Sequence, residues 1–242
     1  MKEKSITIDS KFKYDLANLK TQLKHSNKCL ILTEFEKEEN YTIMFACEDV
    51  HLSMLNNMVA QNLVNFYVFR YKKLYLEQNL NLADIEKMFA PAYICALAQF
   101  DTFTDKEIAL DADYTSDKIA VIPFLYFRLQ YLIRRWKTII NLTNENIGAF
   151  NKSSAIIDLL KYLVKNLQSN KKELNLQFTE HGIKIYDDKT LSFESKTQSI
   201  ADIANTIAVL IKLSPQRLIV RSAHPNSHLE TIRQIFDEKI VQ

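Results

Sequence analysis

The first fifty residues alternate between strand-like and helix-like spacing of apolar positions. Residues 5–9 place Ile6 and Ile8 at every second position, which predicts a half-buried strand. Residues 29–36 and 41–47 are two further strand-like runs, and the polar residues 37–40 between them predict a hairpin. Before this hairpin, four apolar residues recur at helical spacing and predict an amphipathic helix: Phe12, Leu16, Leu19 and Leu23.

The middle of the chain has the pattern of buried helices. Apolar positions cover most of the circumference of a predicted helix over 49–80, and a second helical stretch covers 83–100 with Pro91 as a first-turn proline or a kink. Six acidic residues against one lysine predict that 101–117 is an acidic connector. A further helix is predicted from Pro123 to about Leu142.

The last third returns to mixed elements. Helices are predicted over 153–168 and 199–213, and a last helix starts at Ser227 with a capping box that ends at Glu230. Strands are predicted over 173–179, 182–187, 191–194 and 217–222.

The order of these elements predicts an α+β (mixed α/β) fold with small β-sheets at both ends and a helical central region. We expect segments 1–48, 49–150 and 151–242, packed as one or two domains. Residues 11–66 and 153–213 both run helix, strand, strand, helix, so an internal repeat stays open.

Composition narrows the class of protein. Three cysteines at wide spacing (Cys29, Cys47 and Cys95) give neither a disulfide framework nor a zinc spacing, so we expect free thiols and a cytoplasmic location. Only two glycines occur, which excludes glycine-rich phosphate loops. No apolar run is long enough for a membrane span, and a net charge of +2 does not mark a nucleic-acid-coating protein. No cofactor is expected.

One acidic motif resembles a catalytic pattern. Asp111, Asp113 and Thr115 match the D-x-D-x-T nucleophile motif of haloacid-dehalogenase-type phosphatases, and Asp187 with Asp188 imitates their metal-binding pair. The motif lies mid-chain in the acidic connector, and the fold that it requires would have to begin there, so a solvated loop explains it better. A Mg²⁺-dependent phosphatase-like enzyme remains the third hypothesis.

No metal site is expected either. His224 and His228 near Glu230 are the nearest approach to a ligand set, and helix capping with solvent exposure explains that segment better.

The helix over 124–140 carries the most informative surface. One side is apolar and is the predicted core side: Leu125, Leu129, Leu132, Trp136 and Ile139. The other side mixes aromatic and arginine residues, with Lys137 beside them: Phe127, Arg128, Tyr131, Arg134 and Arg135. Such a mixture is typical of protein interfaces, and it also suits nucleic acid. A third interpretation is a helix packed on both sides, with its arginines paired to 101–117.

Several segments resemble one family. Phe124 to Leu129 (F-L-Y-F-R-L) resembles the F-x-x-F-R-L start of the central helix in the YtxC-like sporulation proteins of endospore-forming bacteria. Residues 159–164, 182–188, 213–220 and 229–236 resemble that family's later helix, hairpin, strand and last helix. The resemblance implies a cytoplasmic, sporulation-associated role and no catalytic residues.

Together these features predict a non-enzymatic protein-interaction or regulatory module with an unknown protein partner. The alternative is a nucleic-acid-binding protein that uses the same helix face.

Overall fold

The computed structural model describes residues 1–82, 89–146, 153–180, 182–196, 199–222 and 227–241. The helices, in chain order, are α1 (Ala17–His25), α2 (Leu52–Asn65), α3 (Lys72–Asn79), α4 (Ala90–Gln99), α5 (Thr102–Leu110), α6 (Val121–Arg128), α7 (Gln130–Asn146), α8 (Ser153–Asn166), α9 (Ile200–Leu213) and α10 (Ser227–Phe236). The strands are β1 (Lys2–Asp9), β2 (Cys29–Lys37), β3 (Asn40–Cys47), β4 (Lys118–Ala120), β5 (Lys171–Thr179), β6 (Gly182–Asp187), β7 (Thr190–Ser195), β8 (Pro215–Ser222) and β9 (Ile240–Val241).

The chain forms two compact units, each with its own sheet. One unit consists of Met1–Lys72 and Thr102–Thr138, and the other of Lys73–Asp101 and Ile139–Gln242. The helical middle of the chain therefore contributes to both units. The predicted α+β class is confirmed, since each unit combines helices with a mixed sheet.

The sheet of the first unit has the strand order β2-β3-β1-β4. β1 and β2 are antiparallel to β3, and β4 runs parallel to β1. The predicted hairpin is confirmed, and Glu38 takes a positive φ of 56° in its two-residue turn, as tight hairpins require. Alternate residues of β1 and β3 are buried against the helices: Ile6, Ile8, Ile43 and Phe45.

The long helix predicted over 49–80 is present with an interruption. A 3₁₀ turn at Asp49–His51 leads into α2, and a π-helical segment, Phe66–Tyr71, joins α2 to α3. Within that segment Tyr67 is buried, and its hydroxyl donates to the carbonyl of Val121 at 2.7 Å. This hydrogen bond ties the start of α6 to the long helix.

The prediction of an acidic connector over 101–117 is wrong, because helix α5 occupies more than half of this segment. Asp105 and Ala109 lie one turn apart on the buried side of α5, while Glu107 is exposed. The acidic composition does not indicate this helix, because one of the six acidic residues, Asp105, lies in the core. Only the stretch from Asp111 to Asp117 behaves as a loop before β4.

The sheet of the second unit has the strand order β7-β6-β5-β8-β9. β5 and β8 pair in parallel after the α9 crossover, and β9 adds a short parallel strand that the sequence pattern does not predict. Leu174, Leu176 and Phe178 of β5 are buried at alternate positions. The start of the predicted 83–100 helix lies outside the described residues, as does the Ser227 side chain of the predicted capping box.

Candidate contact face

The candidate contact face consists of the five residues predicted from sequence: Phe127, Arg128, Tyr131, Arg134 and Arg135. They lie on α6 and the first half of α7, in the first unit. The helix predicted from Pro123 to about Leu142 is interrupted at Leu129, whose φ of −110° and ψ of 34° separate α6 from α7. Hydrogen bonds from the Leu129 amide to the Leu125 carbonyl, at 3.1 Å, and from the Ile133 amide to the Leu129 carbonyl, at 3.2 Å, continue across the break. Helical spacing therefore persists through the face.

The apolar side of this helical stretch is buried as predicted. Leu125, Leu129, Leu132 and Trp136 are almost fully shielded from solvent, and Ile139 is half-buried. The indole nitrogen of Trp136 donates to Asp105 Oδ2 at 3.1 Å. A core anchored in this way fixes which side chains of α6 and α7 point away from it.

The aromatic members of the candidate contact face are exposed. Phe127 is 75% exposed and Tyr131 is 61% exposed. Tyr126, beside them, is also exposed, and its hydroxyl lies 3.4 Å from the hydroxyl of Tyr71. Large apolar rings that stay in water are where binding a partner gains most from burial.

The arginines differ in their surroundings. Arg134 is exposed, with Nη2 3.5 Å from Gln130 Oε1. Arg128 is exposed and lies near Asp113. The pKa of Asp113 lies below its usual value, mainly because of a side-chain hydrogen bond with Thr115, and the charge of Arg128 lowers this pKa further.

Arg135 lies at the buried border of the candidate contact face. Its Nε is 3.4 Å from Asp105 Oδ1, and its side chain is only partly exposed. This pairing with 101–117 is what the two-sided packing interpretation expects, and it holds for Arg135. The exposed part of the candidate contact face therefore consists of the other four residues.

Asp105 organises a buried polar cluster that the sequence patterns do not reveal. Lys72 Nζ donates to Asp105 Oδ2 at 2.7 Å, and both side chains are buried. Together with Trp136 and Arg135, this carboxylate joins Lys72, α5 and the first half of α7 within the first unit. A buried carboxylate needs such partners because desolvation of an unpaired charge is costly.

Lys4 is a second buried cation in the first unit. Its Nζ donates to Asn56 Oδ1 at 2.6 Å and to the carbonyl of Tyr114. Burial lowers the pKa of Lys4 to about 8, and the carboxylates of Asp117 and Asp113 oppose that shift. The amine ties β1 to α2 and to the loop before β4.

The D-x-D-x-T residues occupy that loop. The motif follows helix α5 directly, since α5 ends at Leu110. Asp111 and Asp113 are exposed, and the Thr115 amide donates to Asp113 Oδ1 at 2.9 Å in a local turn. Asp187 pairs with Lys171, and Asp188 lies in a hairpin turn with a φ of 56°.

A metal site and a membrane-spanning helix each require a recognisable arrangement of residues. Within the described ranges, no group of three or more histidine, cysteine or acidic side chains could hold a metal ion. His224 lies outside the described residues, and the side chain of His228 is not described. Across the same ranges, no helix has the length and apolar character that crossing a bilayer demands.

Comparison with known proteins gives one informative match. Neither the curated proteins nor the solved structures contain a significant match. The sequence model of the YtxC-like family matches residues 109–241, a little more than half of the chain. The matched range begins at the end of α5, includes the whole candidate contact face and extends to β9. This chain belongs to the YtxC-like family.

Proposed function

We propose that this chain is a non-enzymatic interaction module with a cytoplasmic role in sporulation, and that the candidate contact face binds a protein partner. The observation that carries the proposal is the exposure of Phe127 and Tyr131 beside Arg128 and Arg134 on a helix whose opposite side is anchored in the core. Tyrosine and arginine are enriched among the residues that dominate binding energy at protein interfaces.

Charge indicates what kind of partner fits. The sequence from Lys118 to Asn144 contains five cations and no acidic residue, and Asp105 partly neutralises Arg135 from inside the fold. A helical stretch with five cations, no acidic residue of its own and exposed rings favours a partner that offers carboxylates around an apolar patch.

A pull-down with matched variants tests the proposal. Tyr131→Ser and Tyr162→Ser remove tyrosines of equal exposure, 61% each, but the second lies on α8, where Lys161 and Lys165 are paired with Asp237 and Glu238. Tagged full-length chains in extract from sporulating cells should capture a partner with the wild type and with Tyr162→Ser. Capture should fall at least tenfold with Tyr131→Ser and with Arg134→Ser.

Two results would count against the proposal. Equal capture by both tyrosine variants would place binding elsewhere. Capture that disappears after nuclease treatment, or that falls by orders of magnitude between low and moderate salt, would favour the nucleic-acid alternative, because phosphate contacts release counterions.

A further inference from the structure

Strand β2 forms an open edge of the first unit's sheet. It spans nine residues, Cys29–Lys37, and among the described strands it pairs only with β3. Among the described residues no strand occupies its outer side. An edge of this length presents a row of unpaired backbone N–H and C=O groups, which is a template for another strand.

This edge carries exposed or half-buried apolar side chains on both faces of the sheet. Ile31 and Phe35, each 49% exposed, lie opposite Ala46 and Thr42 of β3 on one face. On the other face Leu32 lines a groove of about 390 Å³ together with Leu23 of α1. Natural edge strands usually carry charges, prolines or bulges that block pairing. In β2 the bulge lies at one end, between Cys29 and Ile31, and Glu34 and Glu36 form ion pairs within the chain.

The two carboxylates of β2 are already neutralised within the chain. Glu34 forms an ion pair with Lys20 and accepts a hydrogen bond from the Tyr41 hydroxyl. Glu36 forms an ion pair with Lys13 at 3.2 Å. Neither carboxylate therefore presents a full uncompensated charge to an approaching strand.

We infer that two copies of this chain pair through β2, antiparallel, about a twofold axis at Thr33. This register places Ile31 beside Phe35 of the second copy, twice by symmetry, so the two most exposed apolar positions of that face cover each other. It also places Glu34 opposite Leu32 of the second copy, so no like charges face each other.

Neighbouring registers are less favourable. An axis at Glu34 sets that carboxylate opposite its own copy, and an axis at Phe35 sets Glu34 opposite Glu36, which is destabilising. An axis at Leu32 requires the irregular stretch between Cys29 and Ile31 to pair. Of these registers, the one with its twofold axis at Thr33 brings Ile31 and Phe35 into contact and keeps the carboxylates apart.

The backbone geometry of β2 is compatible with this centre. The hairpin closes with Lys37 opposite Asn40, so alternate residues from Lys37 back to Thr33 direct their backbone groups toward β3. Thr33 then meets its own copy in a non-hydrogen-bonded pair, in which Cα atoms lie about 4.5 Å apart. The short paired segment buries less than a standard interface, so the dimer should depend on concentration.

Disulfide trapping tests the register in the full chain. In a Cys29→Ser background, Thr33→Cys should form a covalent dimer when diamide takes up the two thiol hydrogens, because a separation of about 4.5 Å suits a disulfide. Glu39→Cys, at the exposed hairpin turn, is the matched control and should crosslink at least tenfold more slowly. Equal rates for the two variants, or no crosslinking of either, would overturn the inference.

A charge exchange tests the side-chain pairing by sedimentation equilibrium. Phe35→Glu should weaken the dimer at least tenfold, and Ile31→Lys combined with Phe35→Glu should restore it, because opposite charges then face each other at both symmetry-related positions. Both residues are exposed, so circular dichroism should show an unchanged fold. A wild type that stays monomeric at all concentrations, or a dimer indifferent to these substitutions, would contradict the assignment.

Discussion

At the scale of single residues, the buried charges are the least predictable part of this protein. Lys4 alternates with Ile6 and Ile8 on β1, and Lys72 lies four residues from both Val68 and Leu76. These spacings place both lysines on core faces, but a charged residue in an apolar stripe normally marks its solvent border. Their partners, Tyr114 for Lys4 and Asp105 for Lys72, lie far away in sequence. The local pattern therefore predicts which face each lysine occupies. It does not predict the distant contact that makes burial of the lysine possible.

The lowered pKa of Lys4 predicts a pH-dependent stability. Between pH 8 and about 10.5 the unfolded chain holds the proton that the folded chain has lost, so the free energy of unfolding should rise with pH in this window. Relative to Lys4→Met, the wild type should gain up to about 3 kcal/mol across it, and nothing below pH 7. Urea unfolding of both proteins at several pH values measures this difference. A constant difference from pH 7 to pH 10.5 would show that the amine is not perturbed.

At the scale of elements, α6 and α7 show what periodicity can and cannot predict. The apolar side of the helix and the exposure of Phe127 and Tyr131 follow from a 100° step per residue. The break at Leu129 does not, because no proline or glycine marks it. The ion pair of Arg135 with Asp105 is also not predicted, because it depends on α5, and the acidic composition of 101–117 does not indicate a helix there.

The Asp105 cluster should be a main source of stability for the helices that it joins. Asp105→Asn removes the buried carboxylate charge that Lys72 Nζ contacts at 2.7 Å and should lower the free energy of unfolding by about 3–5 kcal/mol. Glu107→Gln, on the exposed side of the same helix, is the matched control and should change it by less than about 0.5 kcal/mol. Chemical denaturation measures both. Similar values for the two variants would mean that the cluster contributes no net stability.

At the scale of the whole molecule, the sequence predicts the α+β class and most elements, but not which strands become neighbours. β4 has three residues and joins the first sheet beside β1, more than a hundred residues earlier in the chain. Such pairing depends on long-range packing, which single-sequence patterns do not contain. The family match from 109 to 241 includes residues of both units, so the family's defining segment is not confined to one sheet.

The central claim is that the candidate contact face binds a protein, and site-specific photocrosslinking tests it most directly. A photoreactive phenylalanine analogue replaces Phe127 in one full-length chain and Tyr162 in another, and both chains are irradiated in sporulating cells. We predict a discrete, nuclease-resistant protein adduct from position 127 and none of that size from position 162. No adduct from position 127, the same adduct from both positions, or an adduct that nuclease removes would contradict the claim.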